Sequence, residues 1–367
     1  MDVLRASRYT QRMRRLLLLI ALTSCACGSE LDGPRVAVSR QALDSVTGFG
    51  TNPGGLNMWL HSPPQPAKMP ALVVAMHGCT MTAADYEKAG WDTYADQYGF
   101  YVLYPEITAN TQCFSWFDAT QTGRDQGQAA SIAQATQFVI AQKAIDKTQV
   151  FVTGLSAGGA MAAVMMAVYP DVYASGAIMA GIPYGCATNV VDAATCMAGK
   201  TMLPQAWGDL VRAADPGYTG SYPRLAIFQG DSDNVVNPDN TVELMRQWTD
   251  VHGADANADN TDMVGPATHG QFQDANGANV VETYVVPGMG HGVAIDAANG
   301  CGVASTFMLD VGLCSSLESA KFFNLATTLV DGGQGAGNTS SCSSFGGSAM
   351  VLGVLLWLWR LRRYRRT

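Results

Sequence analysis

Charge is scarce in this 367-residue chain: 14% of its residues are Asp, Glu, Lys or Arg, against 48% that are apolar. That balance provides for one sizeable core with short appendages. Basic residues are scarcer still once the ends are set aside. Arg5, Arg8, Arg12, Arg14 and Arg15 at one end and Arg360, Arg362, Arg363, Arg365 and Arg366 at the other take ten of the 22. The same ends hold only Asp2 of the 30 acidic residues, leaving 12 basic against 29 acidic and a net charge of −17. No basic patch or aromatic-basic stripe remains, and an acidic surface repels a phosphate backbone, so nucleic acid is not an expected partner. There are five histidines and no paired CxxC spacing, which argues against a zinc site; no metal and no cofactor is expected. Between the ends no repeat or low-complexity tract occurs. Long apolar runs are also missing: Leu16 to Leu22 is too short to span a bilayer, and Gly346 to Trp359 is marginal.

What is present at the two ends reads as sorting information. In residues 1–27 arginines precede the run Leu16 to Leu22 and small residues follow, the three-part order of a secretory signal. Leu22-Thr23-Ser24-Cys25 resembles the lipobox of bacterial lipoproteins, in which the cysteine is acylated. Ordinary cleavage nearby, with Cys25 discarded, is the alternative. Residues 28–47 are an N-terminal extension, 48–330 the folded domain, and 331–345 a Gly/Ser-rich linker too polar to pack. Residues 346–367 form a short apolar helix followed by the arginine cluster, whose charge favours the cytoplasmic side of a membrane. The order Cys342, apolar helix, arginines resembles the MYXO-CTERM type of surface-sorting tail, which implies that Cys342 is the attachment point. The expectation is export to the cell surface or the extracellular space, with a transmembrane or cleaved tail.

Nine cysteines are present. With Cys25, Cys27 and Cys342 in the terminal signals, Cys79, Cys113, Cys186, Cys196, Cys301 and Cys314 remain, an even number in an oxidising compartment. Three disulfides follow. The close spacings pair Cys186 with Cys196 and Cys301 with Cys314, and Cys79 with Cys113 is left by elimination, although six cysteines allow about 15 connectivities.

In the middle of the chain short apolar runs alternate with longer amphipathic or alanine-rich stretches, which argues for an α/β sheet. Strands are expected at Ala71 to Met76, Tyr101 to Tyr104, Val150 to Thr153, Ala177 to Met179, Leu225 to Phe228 and Val280 to Val286. Most are continuous apolar runs, as a parallel sheet covered on both faces requires. Helices are expected at Ala83 to Tyr98, Gly127 to Gln142, Ala157 to Val168, Asn240 to His252 and Ser316 to Asn324. Leu56 to Leu60 reads as an antiparallel lead-in strand, and Asp125 as a cap or a brace for the loop before the second helix.

Gly154-Leu155-Ser156-Ala157-Gly158 lies between the strand at Val150 and the helix at Ala157. A serine forced onto a sharp strand-to-helix elbow needs small flanking residues, and the following helix turns its positive end toward the hydroxyl. Such a hydroxyl needs a histidine to take its proton. His291, in the glycine-rich Pro287 to Gly292 after the last strand, is placed to reach back. His61 and His77 precede the nucleophile, His252 closes a helix, where a favourable charge or solvation explains it, and His269 lies in a polar loop. The carboxylate should fall between Ser and His. Asp233 in Gly230-Asp231-Ser232-Asp233 fits, ahead of Asp231, a turn cap, and of Asp209 and Asp239, the last at an expected N-cap. His77-Gly78-Cys79-Thr80 after the first strand supplies one oxyanion NH, assigned to Cys79, and Ala157 the other. His77 is read as a ring holding that loop.

Together, His77 to Thr80, Cys113-Phe114-Ser115-Trp116-Phe117, Gly154 to Gly159, Pro204 to Val211, Gly230 to Asp233 and Gly288 to His291 resemble the poly(3-hydroxybutyrate) depolymerase-like esterases, which include acetylxylan and feruloyl esterases. The resemblance runs over most of Ala71 to Leu325. It implies an α/β-hydrolase fold and a triad of Ser156, Asp233 and His291. It also implies Cys79 and Ala157 as oxyanion donors, with Trp207 as a cleft wall and Trp116 beside it on the substrate; a core tryptophan is the other reading of Trp207. Cys113 to Phe117 and Cys301 to Cys314 look more like the polyester branch, whereas Trp207 to Arg212 is shared with the carbohydrate esterases. Depolymerases acting on solid polymer usually carry a binding module, and only linker and tail follow Leu325, which favours oligomers, small esters or a surface-tethered enzyme. A catalytically dead, surface-displayed binding protein and a peptidase are the rivals.

Overall fold

The computed structural model describes residues 42–109 and 112–326; Cys25, Cys342 and the proposed signal, linker and tail lie outside them. A ten-stranded sheet dominates, in the order β1-β2-β4-β3-β5-β6-β7-β10-β9-β8. Its centre is parallel: β4 (Tyr101–Glu106), β3 (Leu72–Met76), β5 (Val150–Leu155), β6 (Ser175–Met179), β7 (Arg224–Gly230) and β10 (Asn279–Val286). Antiparallel strands flank it, β1 (Asp44–Ser45) and β2 (Asn57–His61) at one edge and β9 (Ala267–Gln273) and β8 (Asn260–Val264) at the other. This is an α/β-hydrolase sheet.

Alternation along each strand divides the apolar residues between two cores. On β3, Leu72, Val74 and Met76 point into one and Val73 and Ala75 into the other. Both faces are therefore dry, which is why the central strands read as unbroken apolar runs. The first core takes α4 (Gly127–Lys143), α5 (Ala157–Val168), α7 (Pro204–Ala214) and α8 (Asp239–His252). The second takes α1 (Ala83–Tyr86), α2 (Trp91–Tyr98) and α9 (Ser315–Phe322). Every residue of α5 is buried, so this helix is apolar all round rather than amphipathic.

Several expectations are corrected. The single helix expected over Ala83 to Tyr98 is two, separated by a 3₁₀ turn (Glu87–Ala89) and by Gly90 at φ +92°, where a β-carbon would sit 2.8 Å from the Gly302 nitrogen. The sheet reaches into the expected N-terminal extension, because Asp44 and Ser45 pair with Leu60 and Trp59 and the Val46 NH bonds Met58. His269, expected in a polar loop, instead lies on β9, which pairs with β8 as a hairpin. His269 is buried there, its Nδ1 2.7 Å from Asp262 and its ring stacked on Tyr284. Three further helices, α3 (Ala119–Thr122), α6 (Val190–Met197) and α7, were not expected; α3 is capped by Asp118, α6 by Asn189, and α7 starts on Pro204. Among the described residues no helix is long and apolar enough to cross a membrane.

Candidate active site

Ser156 follows β5 directly and is the N-cap of α5, at φ 56° and ψ −117°. A positive φ at a non-glycine residue is strained, and the surrounding packing must hold it. Here the holding is tight. A β-carbon on Gly154 would lie 2.3 Å from the Gly158 carbonyl oxygen, and one on Gly158 would lie 2.3 Å from that of Met76. Strand, elbow and helix thus approach backbone to backbone, and the Ser156 NH is fixed on the Met179 carbonyl at 2.9 Å.

The contact of Gly158 with Met76 and His77 also presses the start of α5 against the loop after β3. Ala157, as the first helical residue, has no intrahelical acceptor for its NH, and Cys79 lies on the facing loop. That loop is held twice. Cys79 is disulfide-bonded to Cys113. His77, wholly buried, donates from Nδ1 to the Gly78 carbonyl at 2.7 Å and accepts the Ile107 NH on Nε2 at 3.2 Å. Burial pushes the His77 pKa down, so the ring stays neutral, as this donor-acceptor pattern requires. Its ring packs 5.0 Å from that of Phe114, and Thr80 takes a φ of 65° to turn the loop.

Asp233 lies three residues beyond β7. Its Oδ1 accepts the NH groups of Val235 and Val236 at 2.8 and 2.9 Å, and its Oδ2 accepts Gln229 Nε2 at 2.9 Å. His291 Nδ1 stands 2.7 Å from the same Oδ2. Burial alone would raise the carboxyl pKa, but the bonds from His291, Val235 and Val236 outweigh it and hold Asp233 below its ordinary value. With Nδ1 committed to the carboxylate, Nε2 of His291 is the nitrogen left to accept a proton.

The loops carrying this pair are tied to each other. The Asp231 and Ser232 NH groups bond the carbonyls of Val286 and Met289, and Asp231 Oδ1 accepts the Gly288 NH at 2.7 Å. A β-carbon on Gly230 would fall 2.1 Å from the Met289 carbonyl oxygen. Asp231, weighed as a turn cap, is thus a brace between the loops. Ser156, Asp233 and His291 all follow the carboxyl ends of parallel strands, β5, β7 and β10, with β6 lying between the first two.

Other candidates fall elsewhere. Trp207 has no exposed surface, and its indole NH donates to Glu243 Oε2 at 2.6 Å. It is a core residue where α7 packs on α8, not an open cleft wall. Trp116 is 8% exposed and packs edge-on against Phe117. His61 is buried 2.7 Å from Asp96. His252, expected to be charged or solvated at its helix end, is partly buried against the Pro223 carbonyl, and burial lowers its pKa. Asp239 is the first residue of α8 rather than its cap, and the Asp125 NH bonds the Tyr169 hydroxyl, bracing the loop before α4. Cys186–Cys196 and Cys301–Cys314 form as expected. Gln229 was missed; its signal is an amide at the buried end of an apolar strand. A groove of about 610 Å³ lined by Phe49, Arg124, Asp125, Phe138 and Tyr169 lies at the far end of α5, and Ser156, Asp233 and His291 are not part of its lining.

The Esterase PHB depolymerase family profile matches residues 56–265, which take in the elbow, the oxyanion loop and Asp233. The chain belongs to that family. Poly(3-hydroxyalkanoate) depolymerase C of Paucimonas lemoignei is 43% identical over 332 residues, covering 88% of this chain and 78% of that protein. Feruloyl esterase B of Neurospora crassa is 35% identical over 68% of this chain and 88% of its own length. Among solved structures, an acetyl xylan esterase from Aspergillus awamori superposes with a TM-score of 0.67 at 27% identity, covering 78% of this chain and all of that one. As a member of the PHB depolymerase esterase family, the protein is a carboxylic ester hydrolase.

Proposed function

We propose that Ser156 is the nucleophile, His291 its general base, Asp233 the orienting carboxylate, and that the substrate is poly(3-hydroxybutyrate) or its oligomers. The observations that support the triad are the 2.7 Å contact of His291 Nδ1 with Asp233 Oδ2 and a serine held at positive φ where β5 passes into α5. In the first half-reaction His291 Nε2 takes the Ser156 proton as Oγ attacks the ester carbonyl. The Cys79 and Ala157 NH groups bind the oxyanion. Collapse of the tetrahedral intermediate breaks the acyl–oxygen bond, and the imidazolium returns its proton to the leaving alcohol. Water, deprotonated by the same nitrogen, then releases the acid and frees Ser156.

For the substrate, the support is the 43% identity to a polyhydroxyalkanoate depolymerase over 88% of the chain, against 35% to a feruloyl esterase over 68%. Acetylated or feruloylated plant polysaccharide is the second reading, favoured by the full-length superposition of an acetyl xylan esterase. The three disulfides accord with export. We place the enzyme outside the cell or on its surface, exported by residues 1–27 and attached through Cys25 or Cys342.

Ser156→Ala is expected to lower turnover of a short p-nitrophenyl ester by a factor on the order of 10⁶ while the circular dichroism spectrum is unchanged. Unaltered turnover removes Ser156 from the mechanism. Labelling by a fluorophosphonate probe separates an active esterase from an inert binding scaffold, and initial rates on hydroxybutyrate oligomers, acetylated xylan and feruloyl esters decide the substrate branch.

A further inference from the structure

The bonds around Asp233 place one more side chain in the catalytic machinery. Gln229 is 1% exposed on β7, four residues before the acid. Its Nε2 lies 2.9 Å from Asp233 Oδ2, 3.3 Å from the Gly230 carbonyl oxygen and 3.4 Å from that of Val236. All three neighbours are acceptors, which fixes the amide with its nitrogen toward them. Oδ2 is also the oxygen that receives His291 Nδ1. The carboxylate therefore accepts four NH groups, two backbone ones on Oδ1 and two side-chain ones on Oδ2, and no acceptor site remains to compete for the imidazole.

We infer that Gln229 is a positioning residue that sets both the rotation and the basicity of the Asp233 carboxylate. Rotation matters because the carboxyl torsion of aspartate is broad and weakly held by itself. The two backbone bonds come from the turn that Asp233 itself occupies. Gln229 instead stands within a strand paired on both sides, opposite Val285 of β10, five residues before Gly290 in the His291 loop. It thus references the acid to the same strands that carry the base. Basicity follows from donor count: an NH on Oδ2 disperses the charge that Asp233 presents to the imidazolium. With that NH removed, the carboxylate holds the imidazolium more tightly, which delays return of the proton to the leaving alcohol.

This inference rests on the triad proposed above, and the test separates the two. Rates on a p-nitrophenyl ester are measured across pH for wild type, Gln229→Met, Gln229→Glu and Asp233→Asn. For Gln229→Met we expect kcat to fall roughly tenfold, as for one lost bond to a charged group, with KM within twofold. Its acid limb of kcat/KM should move up by roughly half a pH unit. Gln229→Glu keeps the side-chain length and should lose activity further as the introduced carboxyl ionises against Asp233, narrowing the profile from the alkaline side. It reports on the inference even if Gln229→Met does not fold. A residue with only a structural role would lower Tm and leave both limbs in place; profiles for both variants that superpose on wild type overturn the inference. If Asp233→Asn stays active, the triad reading itself fails, whereas an inactive Asp233→Asn beside unchanged Gln229 variants sinks this inference alone.

Discussion

The two halves of the site are fastened by different means. The oxyanion loop after β3 is held by the Cys79–Cys113 disulfide and by a buried neutral imidazole bonded only to main chain. The acid and base loops after β7 and β10 carry no cross-link among the described residues and are held by hydrogen bonds, most of them ending on Asp231 or Asp233. The difference follows the chemistry asked of each half. An oxyanion donor is a backbone NH that must simply be in place before charge develops, and a covalent tie with an uncharged brace fixes it without adding charge nearby. The acid and base must change their mutual electrostatics during every turnover, so their fastening is itself made of charge.

The largest expected effect breaks the charged half. Asp233→Asn keeps the shape of the side chain but presents an amide to His291, favouring the wrong tautomer. kcat should fall by a factor on the order of 10⁴, with KM little changed. Steady-state kinetics check this. Because the folded Asp233 pKa is depressed, its contribution to stability is fully present above the unfolded carboxyl value and is lost as pH falls through the folded one. The substitution should therefore flatten the dependence of Tm on pH below about pH 4 and leave the neutral range unaltered.

Next comes the covalent half. Replacing Cys79 and Cys113 together by serine opens a link across 34 residues and should cost about 3 kcal/mol of stability, read from denaturant midpoints. If the disulfide places the Cys79 NH, kcat should also fall, toward the factor of roughly 10² that follows loss of one oxyanion donor. The Cys301–Cys314 pair closes a loop of 13 residues, and its removal should cost stability with a smaller fall in kcat. Equal losses of kcat from both pairs would erase the distinction between a site fastening and a general one.

Much of this arrangement was legible in the sequence because it rests on local pattern. The buried parallel strands announce themselves as apolar runs, and helix α5 begins and ends where its alanine-rich stretch does. The elbow residues reveal Ser156, and spacing alone pairs Cys186 with Cys196. What escaped depends on tertiary partners. The β8–β9 hairpin is polar because β8 is an exposed edge strand, so it carries no strand-like apolar run. The break at Gly90 depends on the close approach of Gly302, 212 residues away. Trp207 has the composition of a cleft residue and the burial of a core one, decided by Glu243 on another helix. Gln229 acquires a role only when its neighbours prove to be three acceptors.

The smallest expected effect is also the one that most sharpens the contrast between the halves. His77 holds the oxyanion loop as a neutral ring: Nδ1–H donates to Gly78, and Nε2 must keep its lone pair to accept the Ile107 NH. A second proton on Nε2 would face that NH and break the bond, and burial opposes the charge as well. With the folded pKa below the unfolded value of 6.5, the unfolded chain binds the extra proton first, so stability is fully present above that value. It falls with pH until the folded pKa is reached. His252, whose pKa burial also lowers, titrates in the same direction. Each histidine contributes at most about 1.4 kcal/mol per pH unit to the slope. His77→Gln should lower stability at pH 8 by roughly 1–3 kcal/mol through imperfect replacement of the two bonds. Below pH 6.5, down to the folded pKa of His77, it should also remove up to about one proton from the slope. Urea midpoints at a series of pH values measure both. A slope unchanged in His77→Gln would mean that the ring is not kept neutral, and the oxyanion half would then depend on charge as the other half does.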